Sequence, residues 1–121
     1  MSSTNHLGAF LRECRLQKQQ ACGNRFSLRQ LAGRLDIEPS YLSRIERGLE
    51  PRPSIGLTRA LAAELELDAD VLLAMAGRVS DDLVAIIRKR PKLFAELIRE
   101  LKNAPDHALL RVAREVRDGN W

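Results

Sequence analysis

The short segment PSYLSRIER, residues 39–47, carries side chains suited to binding a polyanion. If the segment is helical, with about 100° between residues, Ser40, Arg44 and Arg47 fall on one face, and Leu42 and Ile45 fall opposite. An arginine can pair with both major-groove acceptors of guanine, and a serine hydroxyl can bind a base or a phosphate. The pattern fits two structures, a DNA-reading helix and the ordinary polar face of a helical bundle.

The sequence before this segment predicts two helices that can hold it in place. Apolar residues at i, i+3, i+4 and i+7 from Leu7 indicate a first helix, and QQACGNRF, residues 19–26, predicts a loop. Ser27 and Gln30 fit a capping box at the start of a second helix. Pro39 suits the first turn of the third. Because a helix of barely two turns does not persist alone, packing must fix its polar face.

The sequence after this segment also reads as helical. Ser54 is predicted to cap a fourth helix, and Asp68 or Asp70 to start a fifth that ends near Gly77. The apolar side of the fourth helix is predicted to consist of Ile55, Thr58, Leu61, Ala62 and Leu65. Beyond residue 80, three amphipathic segments follow, and no useful strand-like alternation occurs. We predict an all-α fold, with five helices in residues 5–77 and a smaller helical region in residues 80–118.

Charge is distributed unevenly along the chain. The net charge is +4, and residues 1–63 alone hold ten Lys and Arg against five Asp and Glu. A basic N-terminal half attracts a polyanion. The sequence contains no apolar run long enough to span a bilayer and no signal-peptide pattern, and its two cysteines suggest no disulfide framework. These features favour a cytoplasmic protein that does not bind membranes.

The segment SLRQLAGRLDIEPSYLSRIERG, residues 27–48, closely resembles the helix-turn-helix of the phage-repressor-like family, also called XRE or Cro/cI-type. The resemblance covers roughly residues 6–76 and is most specific at Leu31-Ala32, Ile37, residues 40–46 and Gly48. It implies a five-helix, lambda-repressor-like domain that binds double-stranded DNA through its third helix. Enzymatic activity is not expected.

The resemblance also implies roles for individual residues. The positions that match the family's base-reading residues are Ser40, Tyr41, Ser43 and Arg44. The positions that match its contacts to the DNA backbone are Ser27, Arg29, Arg47 and Arg52.

Glu46 lies about 40° from Leu42 on a helical projection, hence on the inward side of the third helix. A lone carboxylate there would be costly to bury. In similar repressors this glutamate pairs with an arginine of the first helix, and Arg15 matches that arginine. We predict a structural ion pair between Arg15 and Glu46.

Three positions depart from the family pattern. Asp36 stands at a turn position that is usually glycine, and Asp tolerates a left-handed backbone better than most residues. Glu38 replaces the usual Ser or Thr cap of the third helix, and its charge would repel phosphate. The predicted loop at residues 19–26 is longer than usual, and its Arg25 would add a backbone contact.

The apolar stripes of residues 80–118 need a partner surface. One interpretation is that they pack on the fourth and fifth helices. The interpretation that we favour is homodimerisation, because a two-fold dimer reads both halves of a palindromic operator. The predicted dimer contacts are Phe94, Leu97, Ile98, Leu101, Leu109, Leu110 and Val116.

The layout also resembles that of DdrO-type repressors, which an ImmA/IrrE-like metallopeptidase inactivates by cutting the dimerisation tail. That resemblance implies a cut near residues 94–112. The resulting hypothesis is a homodimeric, autoregulatory transcriptional repressor. The alternatives are an antitoxin, or an interaction module that a small protein antagonist sequesters, as in SinR-like proteins.

The remaining reactive side chains do not form a recognisable site. Cys14 is expected in the core, Cys22 lies in the predicted loop, and His6 and His107 lack neighbours at metal-ligand spacing. The sequence therefore predicts no cofactor and no bound metal.

Overall fold

A computed structural model describes residues 6–50 and 52–119 of the chain. Residue 5, where the predicted DNA-binding domain begins, lies outside the described residues. Over the described residues the chain forms eight α-helices and one short 3-10 helix, with no strand, so the predicted all-α fold is confirmed. The chain divides into two compact units, and the second begins at Asp81.

The first unit contains α1 (His6–Cys22), a 3-10 helix (Gly23–Phe26), α2 (Leu28–Arg34), α3 (Pro39–Glu46), α4 (Ile55–Leu65) and α5 (Ala69–Met75). The second unit contains α6 (Asp81–Lys89), α7 (Pro91–Leu101) and α8 (Asp106–Asp118). Within the described parts of both units, no helix has the length and apolar character needed to cross a membrane.

Side-chain caps begin three of the helices in the first unit. The hydroxyls of Ser27 and Ser54 each accept a hydrogen bond of 3.1 Å from the backbone N–H three residues later. The Asp68 carboxylate accepts one of 2.9 Å from the Asp70 N–H. These bonds satisfy N–H groups that the first helical turn leaves unpaired. The predicted cap positions Ser27 and Ser54 are confirmed, and Asp68 is the aspartate that starts α5.

The predicted loop at residues 19–26 was wrong over its first half. Helix α1 continues to Cys22, and the next four residues form a 3-10 helix. Gln and Ala are good helix formers, and the first residue that interrupts them is Gly23, whose φ is +77°. The extra residues therefore lengthen α1 by about one turn.

The core of the first unit is built from the facing sides of its helices. Its largest fully buried side chains include those of Leu11, Leu31, Leu42, Leu61 and Leu72. Of the residues predicted on the apolar side of the fourth helix, Ile55 is 37% exposed and lies outside this core. It is the first residue of α4 and lies at the edge of the helix's buried stripe. The rest of that predicted stripe is buried: Thr58, Leu61, Ala62 and Leu65.

The turn between α2 and α3 depends on a left-handed residue. Asp36 has a φ of +58° there, and it stands at the turn position that similar repressors usually fill with glycine. Asp is among the few non-glycine residues that adopt this conformation readily. The turn connects α2 to α3, and both helices contribute side chains to the same core.

The second unit contrasts with the first because none of the residues in α6, α7 and α8 is buried. Nine large apolar side chains on these helices are between 36% and 62% exposed. Helices of 9, 11 and 13 residues are marginal in water without tertiary packing. The second unit therefore does not bury the apolar surface of its own helices.

Candidate nucleic-acid interface

Helix α3 presents two chemically different faces. Leu42 and Ile45 are 0% and 1% exposed and belong to the core of the first unit. The predicted polar face, made of Ser40, Arg44 and Arg47, is exposed to solvent. Because the buried face fixes the helix on the core, the polar face is held as a rigid surface.

The two other predicted base-reading residues lie at the flanks of this face. Tyr41 is half-buried and packs against the core, so only part of its ring remains accessible. Ser43 is also half-buried, and its hydroxyl accepts a hydrogen bond of 3.3 Å from Arg47 Nε. That bond orients the guanidinium of Arg47 along the end of α3.

The other predicted backbone contacts come from α2 and from the segment that follows α3. Arg29 and Arg52 are exposed, and Ser27 is half-buried where it caps α2. Glu38, directly before α3, is exposed and makes no side-chain cap. Its carboxylate lies two residues before Ser40 of the exposed face, and it is exposed, unlike the buried Glu46 of α3.

A buried ion pair connects α3 to α1. Arg15 Nε donates to Glu46 Oε2 at 2.6 Å, and Arg15 Nη2 donates to Glu46 Oε1 at 3.0 Å. The side chains are only 8% and 4% exposed. Arg15 Nη1 also donates to the Phe26 carbonyl at 3.3 Å, so one guanidinium binds both α3 and the 3-10 helix. The structure thus brings together the two residues for which an ion pair was predicted.

Helix α1 also approaches the end of α3 very closely at Gly8. A Cβ added to Gly8 would lie 2.3 Å from the Ile45 carbonyl oxygen and 2.8 Å from that of Glu46. Backbone atoms cannot rotate away as a flexible side chain can. Gly8 therefore permits an approach of α1 to α3 that any larger residue would prevent.

A second anchoring residue, Arg34, was missed in the sequence. Its guanidinium donates to Glu64 Oε1 at 2.9 Å and to the Arg25 carbonyl at 2.6 Å, and it lies 5.0 Å from the centre of the Phe26 ring. These contacts connect α2 to α4 and to the 3-10 helix. No local pattern identifies Arg34, because its partners are 9 and 30 residues away.

The predicted dimer contacts all lie on α7 and α8. Phe94 and Leu101 are half-buried, and the remaining five are exposed: Leu97, Ile98, Leu109, Leu110 and Val116. On α7 the four residues recur at i, i+3, i+4 and i+7, which places them on one face of the helix.

The two cysteines lie in different environments. Cys14 is half-buried on α1 and Cys22 is exposed at the end of that helix. Burial, and to a smaller extent the Glu13 carboxylate, raises the pKa of the Cys14 thiol above its ordinary value. No group of three or more His, Cys, Asp or Glu side chains that could hold a metal ion occurs in the described parts of the chain.

Comparison with known proteins gives a match over the first unit. A family model described as a helix-turn-helix domain matches residues 6–75. Two uncharacterised HTH-type transcriptional regulators of Mycobacterium tuberculosis, from strains H37Rv and CDC 1551 / Oshkosh, are each 39% identical to the chain over 70 residues. The match covers 58% of this chain and 45% of each relative, so this chain spans just under half the length of the curated relatives it matches. No solved structure gives a significant match.

Proposed function

The chain belongs to the helix-turn-helix domain family, and on that premise we propose that it is an autoregulatory transcriptional repressor that binds a specific sequence of double-stranded DNA as a homodimer. A helix-turn-helix domain is a DNA-binding module rather than an enzyme, and its second helix lies in the major groove. In this chain α2 and α3 form the motif. The observation that carries the proposal is the exposed Ser40–Arg44–Arg47 face of a helix whose opposite face is buried.

In the proposed complex, α3 lies in the major groove with Arg44 at its centre. The proposed base-reading residues are Ser40, Tyr41, Ser43 and Arg44. A bidentate contact between an arginine and guanine contributes about 1–3 kcal/mol of discrimination against a wrong base. Arg44 is therefore the residue with the largest expected effect on sequence preference.

Ser27, Arg29, Arg47 and Arg52 are proposed to bind DNA phosphates. These contacts set the position of the protein on the duplex and contribute affinity without reading sequence. They also make affinity depend on salt, because each neutralised phosphate releases condensed counterions.

The test of DNA reading compares two arginine variants on two duplexes, a fragment from upstream of the chain's own gene and a scrambled sequence. Arg44→Ala is expected to lose most of the preference for the upstream fragment. Arg52→Ala is expected to weaken binding to both duplexes alike and to reduce the salt dependence. Arg59→Ala removes an exposed arginine of α4 outside the proposed contacts and serves as the control. Unchanged binding by all three variants would contradict the proposal.

We propose that the second unit supplies the homodimer contacts. The support is that α6, α7 and α8 are amphipathic and yet contain no buried residue, so a second surface must cover their apolar stripes. A two-fold dimer would also present two copies of α3 to half-sites about 34 Å apart. The operator would then be palindromic.

Ile98→Glu tests the dimer because it places a charge in the proposed interface, where an unpaired charge is costly. The variant is expected to be monomeric in analytical ultracentrifugation and to lose affinity for the upstream fragment. Glu100→Gln, which changes an exposed polar residue of the same helix, is the control and should remain dimeric. A dimer that persists in Ile98→Glu would place the interface elsewhere.

Release from DNA is proposed to follow cleavage within residues 94–112 by an ImmA/IrrE-like metallopeptidase. Such a cut would remove α8 in whole or in part and, where it falls before residue 101, part of α7 as well. Incubation with a purified peptidase of this class should convert dimer to monomer and abolish DNA binding. A tail that remains intact would contradict this mode of regulation.

A further inference from the structure

An open cleft lies in the first unit where α1, α2 and the end of α3 meet. It is lined by Arg12, Arg15, Leu28, Ser43, Glu46 and Arg47, and its volume is about 480 Å³. A water molecule takes up only about 30 Å³ in liquid water, so the cleft is large enough for a bigger group together with the water molecules bound to it. Three of its lining residues belong to α3 or directly follow it. A ligand in the cleft would therefore contact the end of that helix.

The charges around the cleft leave a net positive surface. Arg15 and Glu46 neutralise each other through their two hydrogen bonds of 2.6 and 3.0 Å. Arg12 and Arg47 are both exposed, and over residues 6–50 and 52–119 neither forms an ion pair with a carboxylate. The two remaining cations thus share one cleft, a combination that suits an anion.

The chemistry of the lining favours phosphate. A guanidinium presents a planar set of N–H donors that matches the oxygens of a phosphate group. Arg47 is already oriented, because its Nε donates to the Ser43 hydroxyl at 3.3 Å. Arg12 lies about one turn before Arg15 on α1 and also lines the cleft.

We propose that this cleft binds a phosphate of the DNA backbone, with Arg12 as a contact in addition to Arg47. The proposal rests on the proposed DNA-binding function and extends the interface from α2 and α3 to α1. A phosphate held between α1 and the end of α3 fixes the position of α3 along the duplex. In this arrangement Ser43 orients Arg47, in addition to its proposed contact with a base.

The test is the salt dependence of DNA binding by Arg12→Gln, measured by fluorescence anisotropy on the upstream fragment and on the scrambled duplex between 50 and 200 mM salt. Loss of one phosphate contact reduces the slope of log affinity against log salt by about 0.9 per bound chain. The proposed dimer loses two such contacts, so its slope should fall by about 1.8, and the affinity ratio of wild type to variant should be about 12 times larger at 50 mM than at 200 mM, equally so on both duplexes.

Two control variants make the result specific. Arg12→Lys keeps the charge and should keep the slope of the wild type. Arg59→Gln removes the same charge from an exposed position of α4, which does not line the cleft, and should also keep that slope. Circular dichroism of each variant establishes that its helical content is unchanged.

The outcomes distinguish this proposal from the one on which it rests. If the wild type binds DNA but Arg12→Gln keeps its slope, or Arg59→Gln loses as much slope as Arg12→Gln, the phosphate site is refuted and DNA binding stands. If the wild type binds neither duplex at 50 mM salt, both proposals are refuted. A reduced slope in Arg12→Gln alone supports the site.

Discussion

The ion pair between Arg15 and Glu46 should be among the largest single contributions to the stability of the first unit. Glu46→Gln removes the negative charge with almost no change in shape. The glutamine can still accept a hydrogen bond from Arg15, but the guanidinium becomes a buried, unpaired cation. Its side chain is only 8% exposed, so water can compensate for only a small part of the lost carboxylate.

Removal of one partner from a buried pair costs about 3–5 kcal/mol. Because the glutamine retains part of the hydrogen bonding, we expect Glu46→Gln near the lower end, about 3 kcal/mol. For a domain of this size, that loss lowers the Tm by about 12–24 °C. It is also a large fraction of the 5–15 kcal/mol by which domains are typically stable.

The exposed ion pair between Lys18 and Glu66 provides a matched control. Its side chains are 25% and 78% exposed, and its N–O distance is 3.0 Å. Exposed pairs contribute at most about 1 kcal/mol, so Glu66→Gln should have a small effect. The same chemical change is thus made in a buried pair and in an exposed one.

The measurement is urea unfolding of the full chain, followed by far-UV circular dichroism and by the fluorescence of Tyr41, the only tyrosine, which lies in the first unit. A third variant combines Arg15→Met with Glu46→Leu and leaves no charge unpaired. It should be more stable than Glu46→Gln, because apolar replacement of a buried pair is often neutral. If Glu46→Gln and Glu66→Gln unfold within about 0.5 kcal/mol of each other, the buried pair does not stabilise the fold as argued.

Two further predictions concern glycines and cysteines. Gly8→Ala should destabilise the chain by about 1–3 kcal/mol, because the new Cβ would lie 2.3 Å from a backbone oxygen of α3. Gly56→Ala, in open space on α4, should stabilise it by about 0.5–1 kcal/mol in the same urea assay; equal effects of the two would contradict the close approach. With iodoacetamide at pH 8, mass spectrometry should find Cys22 modified well before Cys14, because burial raises the pKa of the Cys14 thiol. Equal rates for the two cysteines would contradict the burial of Cys14.

Local sequence signals were sufficient to predict much of the first unit. Ser27 and Ser54 carry their own capping chemistry, and Pro39 fixes the start of α3. The inward direction of Glu46 could be predicted from its angle to Leu42, because every residue of an α-helix is rotated by about 100° from the one before it. These features depend on residues no more than four positions apart.

Other features depend on contacts between distant residues and were not predicted. The anchoring role of Arg34 requires Glu64, 30 residues later, and the close approach at Gly8 requires the backbone of α3.

The length of α1 was underestimated for a local reason: Gln and Ala in the predicted loop favour a helix until a glycine ends it. The apolar stripes of α7 and α8 were visible in the sequence, but a stripe does not identify the surface that covers it.

The most direct test of the central claim is binding of the wild-type chain to the fragment from upstream of its own gene and to the scrambled duplex, across several salt concentrations. We predict markedly tighter binding to the upstream fragment, with affinity that falls steeply as salt rises because several phosphates are contacted. Equally weak binding to both duplexes, at every salt concentration, would contradict a sequence-specific repressor of its own gene.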